Sequence, residues 1–364
     1  MLPEPEAAAL AASRALIERI RAEAKANADW IAFSRYMELA LYEPGLGYYA
    51  GGSAKLGAPG DFATAPELGT LFARTLARQV AEILQPGETI LEFGAGSGAL
   101  AEALIGELAP ENYLILETSA ELRARQETRL GGRAKWIDRL PARFRGVMLA
   151  NEVADAMPVH ALAWRDNMIV ERGVDGSLAW AERPAKGELL AAARRLEVPV
   201  PYESEIGLVA RAWMKLLAAR LERGALLVID YGFPQREYYH PQRTMGTLMC
   251  HYRHRAHGDV FFHPGLQDIT AHVDFSALAQ AAREGGLEVL GYANQAQFLV
   301  NCGITKVLER ENASDVARYA PRAAEAQKLL SPAEMGELFK VLAVGRDVQR
   351  PLLGFASGDR SHTL

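Results

Sequence analysis

Short apolar runs alternate with amphipathic helical patterns from residue 89 onward, and this alternation constrains the fold more than any other feature of the sequence. The runs TILEFG, YLILET, GVMLANE and ALLVIDYG are each long enough for a strand that is covered on both faces. The patterns ALAEALIGEL and SAELRARQETRL lie between the first three runs, and a weaker strand candidate, AKWID, precedes GVMLANE. The sequence therefore predicts an α/β fold in which helices cover both faces of a mostly parallel, right-handedly wound sheet.

The segments around this core define the predicted domain organisation. Amphipathic helices are expected over residues 8–28 and 67–84, three short antiparallel strands after residue 158, and an irregular excursion over residues 232–274. The C-terminal stretch is mostly helical in pattern, and PLLGFA is predicted as a late strand. The predicted division is an N-terminal helical segment with covering loops (1–87), a core (88–158 and 224–300), an antiparallel insertion (159–223) and a C-terminal segment of helices and a last strand (301–364).

Composition limits the partners and the compartment. Forty basic against 45 acidic side chains give a formal charge of -5, which does not attract the chain to a nucleic-acid backbone or an anionic bilayer. The chain has only two cysteines, Cys250 and Cys302, which suits a reducing compartment, and no window of about 20 apolar residues that could span a membrane. We therefore expect a soluble cytoplasmic protein without membrane insertion or a nucleic-acid partner, while a homodimer stays open.

The sharpest local signal is the turn Glu92-Phe93-Gly94-Ala95-Gly96-Ser97-Gly98, between a predicted strand and a predicted helix. Glycine there permits positive φ and lets a ligand approach the backbone, and the helix that follows presents unpaired N–H groups. The spacing of Gly94, Gly96 and Ala99 also satisfies a loose dinucleotide fingerprint, so the glycines alone leave two nucleotide cofactors open.

Nearby acidic residues favour one of these cofactors. Glu92 would repel the pyrophosphate of a dinucleotide, whereas S-adenosylmethionine carries a sulfonium and an ammonium that a carboxylate attracts. Glu117 ends the next strand, where an acid can accept hydrogen bonds from both ribose hydroxyls, and Asp138 could reach the adenine amino group. The balance favours the methyl donor, although a purely structural glycine turn and a solvated Asp138 remain alternatives.

Polar residues follow the fourth core strand, in the segment Asn151-Glu152-Val153-Ala154-Asp155, where an open sheet faces its ligand crevice. Asn151 is assigned to the cofactor side, and Glu152 and Asp155 could orient an acceptor that has several N–H groups, such as an arginine guanidinium. Helix capping and a surface salt bridge are the alternative explanation. His272, with Asp274 before a helix, could relay a proton or fix the acceptor, and an ordinary helix cap at Asp274 explains the pattern as well.

Three histidines, His251, His254 and His257, have the spacing H-x-x-H-x-x-H. No second ligand cluster with standard spacing accompanies them, so we expect no metal site. Two arginines nearby add little charge for RNA contact, and a mobile, substrate-facing loop is the prediction for this segment.

Motifs over nearly the whole chain resemble one family. The segments FSRYMELALYEPGLGYY, GDFATAPELG, LEFGAGSG, NEVADAMPVH, LLVIDYGF, QDITAHVDF and GELFKVLAVGR, over residues 33–355, are similar to the MidA family of S-adenosylmethionine-dependent methyltransferases. The resemblance implies a Rossmann-like class I methyltransferase core with S-adenosyl-L-methionine as cofactor. For the mitochondrial members it implies arginine methylation of a protein substrate, a subunit of respiratory complex I.

The resemblance also assigns residues. It places Gly94, Gly96, Gly98 and Glu117 at the cofactor and Glu152 and Asp155 towards the acceptor, with a further set lining the same cleft from the N-terminal side: Gly60, Asp61, Thr64 and Glu67. The N-terminus lacks the character of a mitochondrial transit peptide, which favours a bacterial cytoplasmic member and leaves the acceptor open.

The leading hypothesis is a methyltransferase that modifies a protein side chain, with arginine favoured. Three other functions fit parts of the pattern: an assembly factor that binds the cofactor without turnover, a nicotinamide oxidoreductase, and a methyltransferase whose acceptor is a small molecule or RNA.

Overall fold

The chain passes several times between two structural units. The computed structural model describes residues 2–51, 64–311 and 314–364. One unit, here called the sheet unit, comprises Ala63–Ala154, Trp213–Pro234 and Phe275–Leu364. The other, here called the accessory unit, comprises Met1–Phe62, Asp155–Ala212 and Gln235–Asp274.

The strands and helices of the described residues are numbered in chain order. The strands are β1 Ile31–Ala32, β2 Thr89–Phe93, β3 Asn112–Leu116, β4 Lys135–Ile137, β5 Phe144–Asn151, β6 His160–Arg165, β7 Met168–Val174, β8 Trp180–Pro184, β9 Tyr202–Ile206, β10 Leu221–Phe233, β11 Met249–Tyr252, β12 Arg255–His257, β13 Asp268–Thr270, β14 Val273–Asp274, β15 Glu288–Asn294 and β16 Phe339–Arg346. The helices are α1 Ala7–Ala26, α2 Phe33–Tyr42, α3 Ala65–Leu68, α4 Leu71–Ile83, α5 Ala99–Leu108, α6 Ala120–Leu130, α7 Gly187–Ala193, α8 Leu208–Arg220, α9 Gln235–Tyr238, α10 Phe275–Glu284, α11 Gln295–Asn301, α12 Ile304–Leu308 and α13 Val316–Leu330.

The sheet unit is built on strands in the spatial order β15-β16-β10-β5-β2-β3-β4. Neighbours from β10 to β4 are parallel, and β16 runs antiparallel to both β10 and β15. Six of the eight residues of β5 and every residue of β10 from Gly224 to Asp230 are buried, although successive side chains point to opposite faces. Both faces are therefore covered, and the prediction of a mostly parallel α/β sheet is confirmed.

The accessory unit is antiparallel. One of its sheets has the order β1-β7-β6-β9, and β8 also pairs with β7. A smaller sheet has the order β12-β11-β13. Helices α1 and α2 supply Leu16, Ile20 and Phe33 to an apolar cluster that also contains Val159 and Ile269. The predicted antiparallel insertion after residue 158 is thus present, and the structure adds β9 and the small sheet, which the sequence did not reveal.

The predicted late strand at PLLGFA is wrong. Leu353–Phe355 form a short 3-10 helix, and Leu352 directly before it and Phe355 at its end are both buried. The last strand of the chain is instead β16, whose eight residues are almost all buried because it lies inside the sheet.

The helix predicted over residues 67–84 is divided at Gly69. A side chain at Gly69 would collide with Glu325 of α13, since an added Cβ would lie 2.1 Å from Glu325 Oε2. Glu325 Oε1 accepts a 2.6 Å hydrogen bond from Leu71 N, so the carboxylate closes the amino end of α4. This contact ends α3 and places α4 as a separate helix. None of the described helices is long and apolar enough to cross a membrane.

The two units also group the chain differently from the predicted division. Residues 63–87 belong to the sheet unit, as does the C-terminal stretch from residue 275 onward, whereas residues 235–274 belong to the accessory unit. The difference arises because α4 and α13 pack into the core that contains the parallel strands, which local patterns cannot indicate.

Candidate active site

The glycine turn connects β2 to α5 in a left-handed conformation. Gly94, Gly96 and Gly98 have φ angles of 56°, 54° and 81°. A residue with a Cβ is strained in this region of φ, so each of these positions favours glycine. Gly94 N donates a 3.0 Å hydrogen bond to Leu116 O at the end of β3. The turn thus has the backbone geometry that allows a ligand to approach its main chain closely.

Glu117 presents a fixed carboxylate beside this turn. Its Oε1 accepts a 2.9 Å hydrogen bond from Ser119 N, and its Oε2 accepts one of 2.9 Å from Gln126 Nε2. Burial raises the pKa of Glu117, while these donors act to lower it. The group is therefore an oriented acceptor at the end of β3, the position predicted to receive ribose hydroxyls.

Glu92 is almost fully buried. Its side-chain oxygen Oε2 accepts a 2.5 Å hydrogen bond from the hydroxyl of Tyr113 on β3. Burial is the main cause that raises the pKa of Glu92 to about 7; repulsion from Glu117 raises it further, and the Tyr113 hydrogen bond opposes both. Near neutral pH and without a ligand, the protonated form of this carboxyl is therefore populated beside the ionised one. A cation placed next to it would favour full ionisation, so its charge depends on the ligand.

Of the residues assigned from the N-terminal side, Glu67 contacts the glycine turn. Glu67 lies on α3, and Ser97 Oγ donates a hydrogen bond to its Oε1. Arg129 Nη1 donates to the same Ser97 Oγ at 2.6 Å. Thr64 precedes α3 directly. Gly60 and Asp61 lie outside the described residues, so this part of the prediction has no structural counterpart here.

Asp138 and Asn151 differ in their surroundings. The carboxylate of Asp138, just after β4, is 84% exposed and forms a 2.9 Å ion pair with Arg123 Nη1. Asn151 ends β5 and donates a 3.1 Å hydrogen bond from Nδ2 to Glu152 Oε1. In the described part of the chain, the buried Asn151 Oδ1 accepts no hydrogen bond. Such a buried acceptor is the kind of atom that a bound ligand satisfies.

Glu152 begins a strained turn after β5. Its φ is 54°, an uncommon value for a residue other than glycine. The turn is held by β10: Glu152 N donates to Ile229 O at 2.9 Å, and Asp230 Oδ2 accepts from Val153 N at 3.2 Å and from Ala154 N at 2.8 Å. Asp230 is fully buried. Sequence reasoning missed it, although an acid inside the apolar run ALLVIDYG is a usable signal.

The turn after β5 lies next to the glycine turn. Strands β2 and β5 are parallel neighbours with Phe93 opposite Ala150, so both turns leave the same edge of the sheet. A Cβ added at Gly94 would lie 3.5 Å from Cγ2 of Val153. The structure therefore brings Glu152 to the side of the predicted cofactor turn.

Asp155 and His272 belong to the accessory unit. Asp155 is 6% exposed, and its carbonyl oxygen accepts a 3.0 Å hydrogen bond from Ala271 N. His272 N donates to Thr247 Oγ1 at 3.0 Å, just before β14. These contacts place the two residues close together within that unit, and their proposed roles towards an acceptor stay predictions.

The histidine segment forms the hairpin β11–β12. Cys250 pairs with His257 and His251 pairs with Ala256, so His251 and His257 point to opposite faces, while His254 is in the turn. Within residues 2–51, 64–311 and 314–364, no three His, Cys, Asp or Glu side chains come together as a metal-binding group.

In this parallel sheet, a glycine turn follows the first core strand and an oriented acid follows the next strand. These features define the doubly wound class of enzymes that bind a nucleoside cofactor. The buried acceptor of Asn151 and the buried acid Glu92 fit a cofactor that carries an amino-acid cation better than one that carries a pyrophosphate. A family model described as "Putative S-adenosyl-L-methionine-dependent methyltransferase" matches residues 71–293. The chain belongs to this family of S-adenosyl-L-methionine-dependent methyltransferases.

Similar proteins support the same assignment. A protein from Burkholderia thailandensis, crystallised with S-adenosyl-homocysteine bound, is 49% identical over 100% of both chains, with a TM-score of 0.96. The mitochondrial protein arginine methyltransferase NDUFAF7 of Danio rerio is 28% identical, with 86% of this chain and 83% of the relative covered. The homologue from Drosophila melanogaster is also 28% identical, with 97% and 92% covered. The enzyme is a methyltransferase whose cofactor is S-adenosyl-L-methionine.

Proposed function

We propose that this methyltransferase modifies a guanidinium nitrogen of an arginine side chain in a protein substrate. The named activity of the mitochondrial relatives supports this acceptor, at 28% identity over most of the chain. The carboxylate of Glu152 supports it independently, because carboxylates pair with the several N–H donors of a guanidinium.

The observation that carries the proposal is the position of Glu152. It follows β5 at the sheet edge where the glycine turn also lies, and its φ of 54° is held by Asp230 and Ile229. Backbone strain of this kind costs about 1–3 kcal/mol and is concentrated at functional sites. A strained acidic residue beside the glycine turn is well placed to bind a positively charged methyl acceptor.

The residues that bind and align the acceptor carry most of the catalysis. When bound, the cofactor supplies a methyl group on sulfur; the C–S bonding pair stays with sulfur while the arginine nitrogen forms the new N–C bond and loses one proton. Glu152 would hold the guanidinium through its N–H groups and receive that proton. Alignment of this type contributes up to about 7–11 kcal/mol to the reduction of a barrier.

The proposed partner is a protein, with a respiratory complex I subunit as the candidate that the family resemblance suggests. The proposed compartment is the bacterial cytoplasm, supported by the similarity to the Burkholderia thailandensis protein and by two cysteines that are free and buried. The roles proposed for Asp155 and His272 are additional to that of Glu152.

The test is methyl transfer from labelled S-adenosyl-L-methionine to proteins of the host extract, with mass spectrometry of the labelled product. Glu152→Gln should lower transfer at least tenfold and leave the affinity for S-adenosyl-homocysteine within twofold, because it removes a charge on the acceptor side only. Glu222→Gln is the matched control, since Glu222 lies at the opposite end of β10 and pairs with Arg143.

Each other outcome opposes the proposal. Label on lysine or histidine would overturn the arginine acceptor, and label that nuclease treatment removes would show an RNA acceptor. Cofactor binding without any labelled product would indicate an assembly factor without turnover. Undiminished transfer by Glu152→Gln would remove Glu152 from the site.

A further inference from the structure

Gln126 connects three parts of the cofactor site that lie on or after three different strands. It lies on α6 and is completely buried. Its Nε2 donates hydrogen bonds of 2.9 Å to Gly96 O in the glycine turn and of 2.9 Å to Glu117 Oε2 after β3. Its Oε1 accepts a 2.8 Å hydrogen bond from Trp136 Nε1 on β4.

These contacts fix the orientation of the amide. A primary amide has two N–H donors at one end and an oxygen acceptor at the other, and an indole N–H can only donate. Trp136 therefore requires the oxygen of Gln126 to face β4, and both N–H groups must then face Gly96 and Glu117. A rotated amide would place an oxygen against the carboxylate of Glu117 and leave the indole N–H without an acceptor.

The two groups that Gln126 joins have complementary tasks towards a nucleoside. The backbone at Gly96 can lie close to a ligand because glycine has no Cβ, and Glu117 offers carboxylate oxygens to hydroxyl groups. An affinity that depends on both contacts requires a fixed distance between them. Among the described residues, only Gln126 donates hydrogen bonds to both the Gly96 carbonyl and the Glu117 carboxylate.

We propose that Gln126 is a positioning residue for the cofactor, which sets the Glu117 carboxylate relative to the glycine turn and is itself held by Trp136. The inference rests on the cofactor of the family and not on the identity of the methyl acceptor. It predicts that loss of the amide weakens the contact with the ribose in particular, because Glu117 Oε2 then loses its donor while Oε1 keeps the hydrogen bond from Ser119 N.

The experiment uses the full chain and measures binding by titration calorimetry, without any turnover. The principal variant is Gln126→Met, which keeps the length of the side chain and removes all three hydrogen bonds. The probes are S-adenosyl-homocysteine, adenosine and 2′-deoxyadenosine. The last two differ only in a ribose hydroxyl, so the ratio of their affinities reports the contact with Glu117 directly.

Gln79→Met is the matched control. Gln79 is also completely buried in the sheet unit, where its Oε1 accepts a 2.7 Å hydrogen bond from Gly354 N and its Nε2 donates to Glu82. The control therefore loses buried amide hydrogen bonds of the same kind, away from the glycine turn.

Gln126→Met should weaken S-adenosyl-homocysteine binding by roughly 10- to 100-fold, the range expected for loss of hydrogen bonds that involve a charged group. The preference for adenosine over 2′-deoxyadenosine should fall towards one, while Gln79→Met keeps both the affinity and the preference. Trp136→Phe should lower both the affinity for S-adenosyl-homocysteine and the preference for adenosine, but by less than Gln126→Met does.

Two results would overturn the proposal. One is an affinity of Gln126→Met within twofold of wild type, and the other is an equal loss in Gln79→Met, which would mean that general destabilisation is the cause. If Gln126→Met does not fold, as judged by circular dichroism, Trp136→Phe decides: an unchanged ribose preference in that variant refutes the positioning role. A failure to find methylated arginine would leave these binding results untouched.

Discussion

The variant Glu92→Gln tests whether the buried acid before the glycine turn contributes to cofactor binding. Glu92 is 3% exposed, and burial raises its pKa to about 7 from an ordinary value of 4.5. The folded protein without cofactor thus favours the protonated form. Ionisation of this group is destabilising, and the stabilising contribution of the neutral form is complete below pH 4.5 and is lost as the pH rises through 7.

The size of the effect follows from the shift in pKa. Each unit corresponds to 1.36 kcal/mol, so the shift amounts to about 3 kcal/mol of unfolding free energy, of which about 2 kcal/mol is lost between pH 5.5 and pH 8. Glutamine does not ionise and can still accept the hydrogen bond of Tyr113. In the absence of cofactor, Glu92→Gln should therefore become increasingly more stable than wild type as the pH rises from 5.5 to 8.

Cofactor binding should favour the ionised form of Glu92, whereas folding without cofactor favours the protonated form. The ionised carboxylate attracts the cationic groups of S-adenosyl-L-methionine, so the wild-type affinity should rise about tenfold from pH 6 to pH 8, with protons released on binding. Glu92→Gln should bind more weakly at pH 8 and show little dependence on pH. This combination of higher stability and lower affinity is what a group kept for function produces.

The assays are urea unfolding at several pH values and calorimetry in buffers of different ionisation enthalpy. Tyr113→Phe is a useful control, because removal of the hydroxyl that donates to Glu92 should raise its pKa and move the rise in affinity to higher pH. A stability difference between Glu92→Gln and wild type that does not change with pH, together with a wild-type affinity that does not change either, would refute the reasoning.

Two further variants test the turns on either side of the site. Asp230→Asn should keep the affinity for S-adenosyl-homocysteine within twofold and lower methyl transfer at least tenfold. The reason is that Val153 N and Ala154 N lose their charged acceptor, so the strained turn relaxes. Equal losses of binding and transfer would mean that Asp230 contributes only to the general stability of the fold. Gly96→Val should abolish S-adenosyl-homocysteine binding in calorimetry while circular dichroism stays native, because φ is 54° there; an unchanged affinity would remove the glycine turn from the site.

The sequence predicted the parts of the fold whose signals are local. The apolar runs that became β2, β5 and β10 are largely buried on both faces, and the run that became β3 is buried on one face and half-buried on the other, so their patterns needed no tertiary information. The glycine turn was predicted for the same reason, because its positive φ angles demand glycine. The strand β16 was missed in favour of PLLGFA, since its place between β10 and β15 depends on pairing across more than a hundred residues.

The site was predicted less completely than the fold. Glu117 and Glu152 were singled out because they follow strands, whereas Asp230 and Gln126 were not, since their hydrogen bonds reach residues on other elements. Glu92 was predicted as a carboxylate, but its raised pKa follows from burial, which no spacing reveals. Sequence patterns locate candidate site residues along the chain, whereas the protonation and the orientation of their side chains depend on the packed structure.

The place of β16 has a consequence for how the chain is made. The residues up to the end of β16 must leave the ribosome before this strand can be inserted, and until then β10 and β15 each lack a neighbour on the side that β16 will occupy. A nascent chain therefore exposes open strand edges with apolar faces, which invite pairing with other chains. A ribosome-stalled or C-terminally shortened product that ends before Phe339 should aggregate and not accumulate as a smaller, working enzyme.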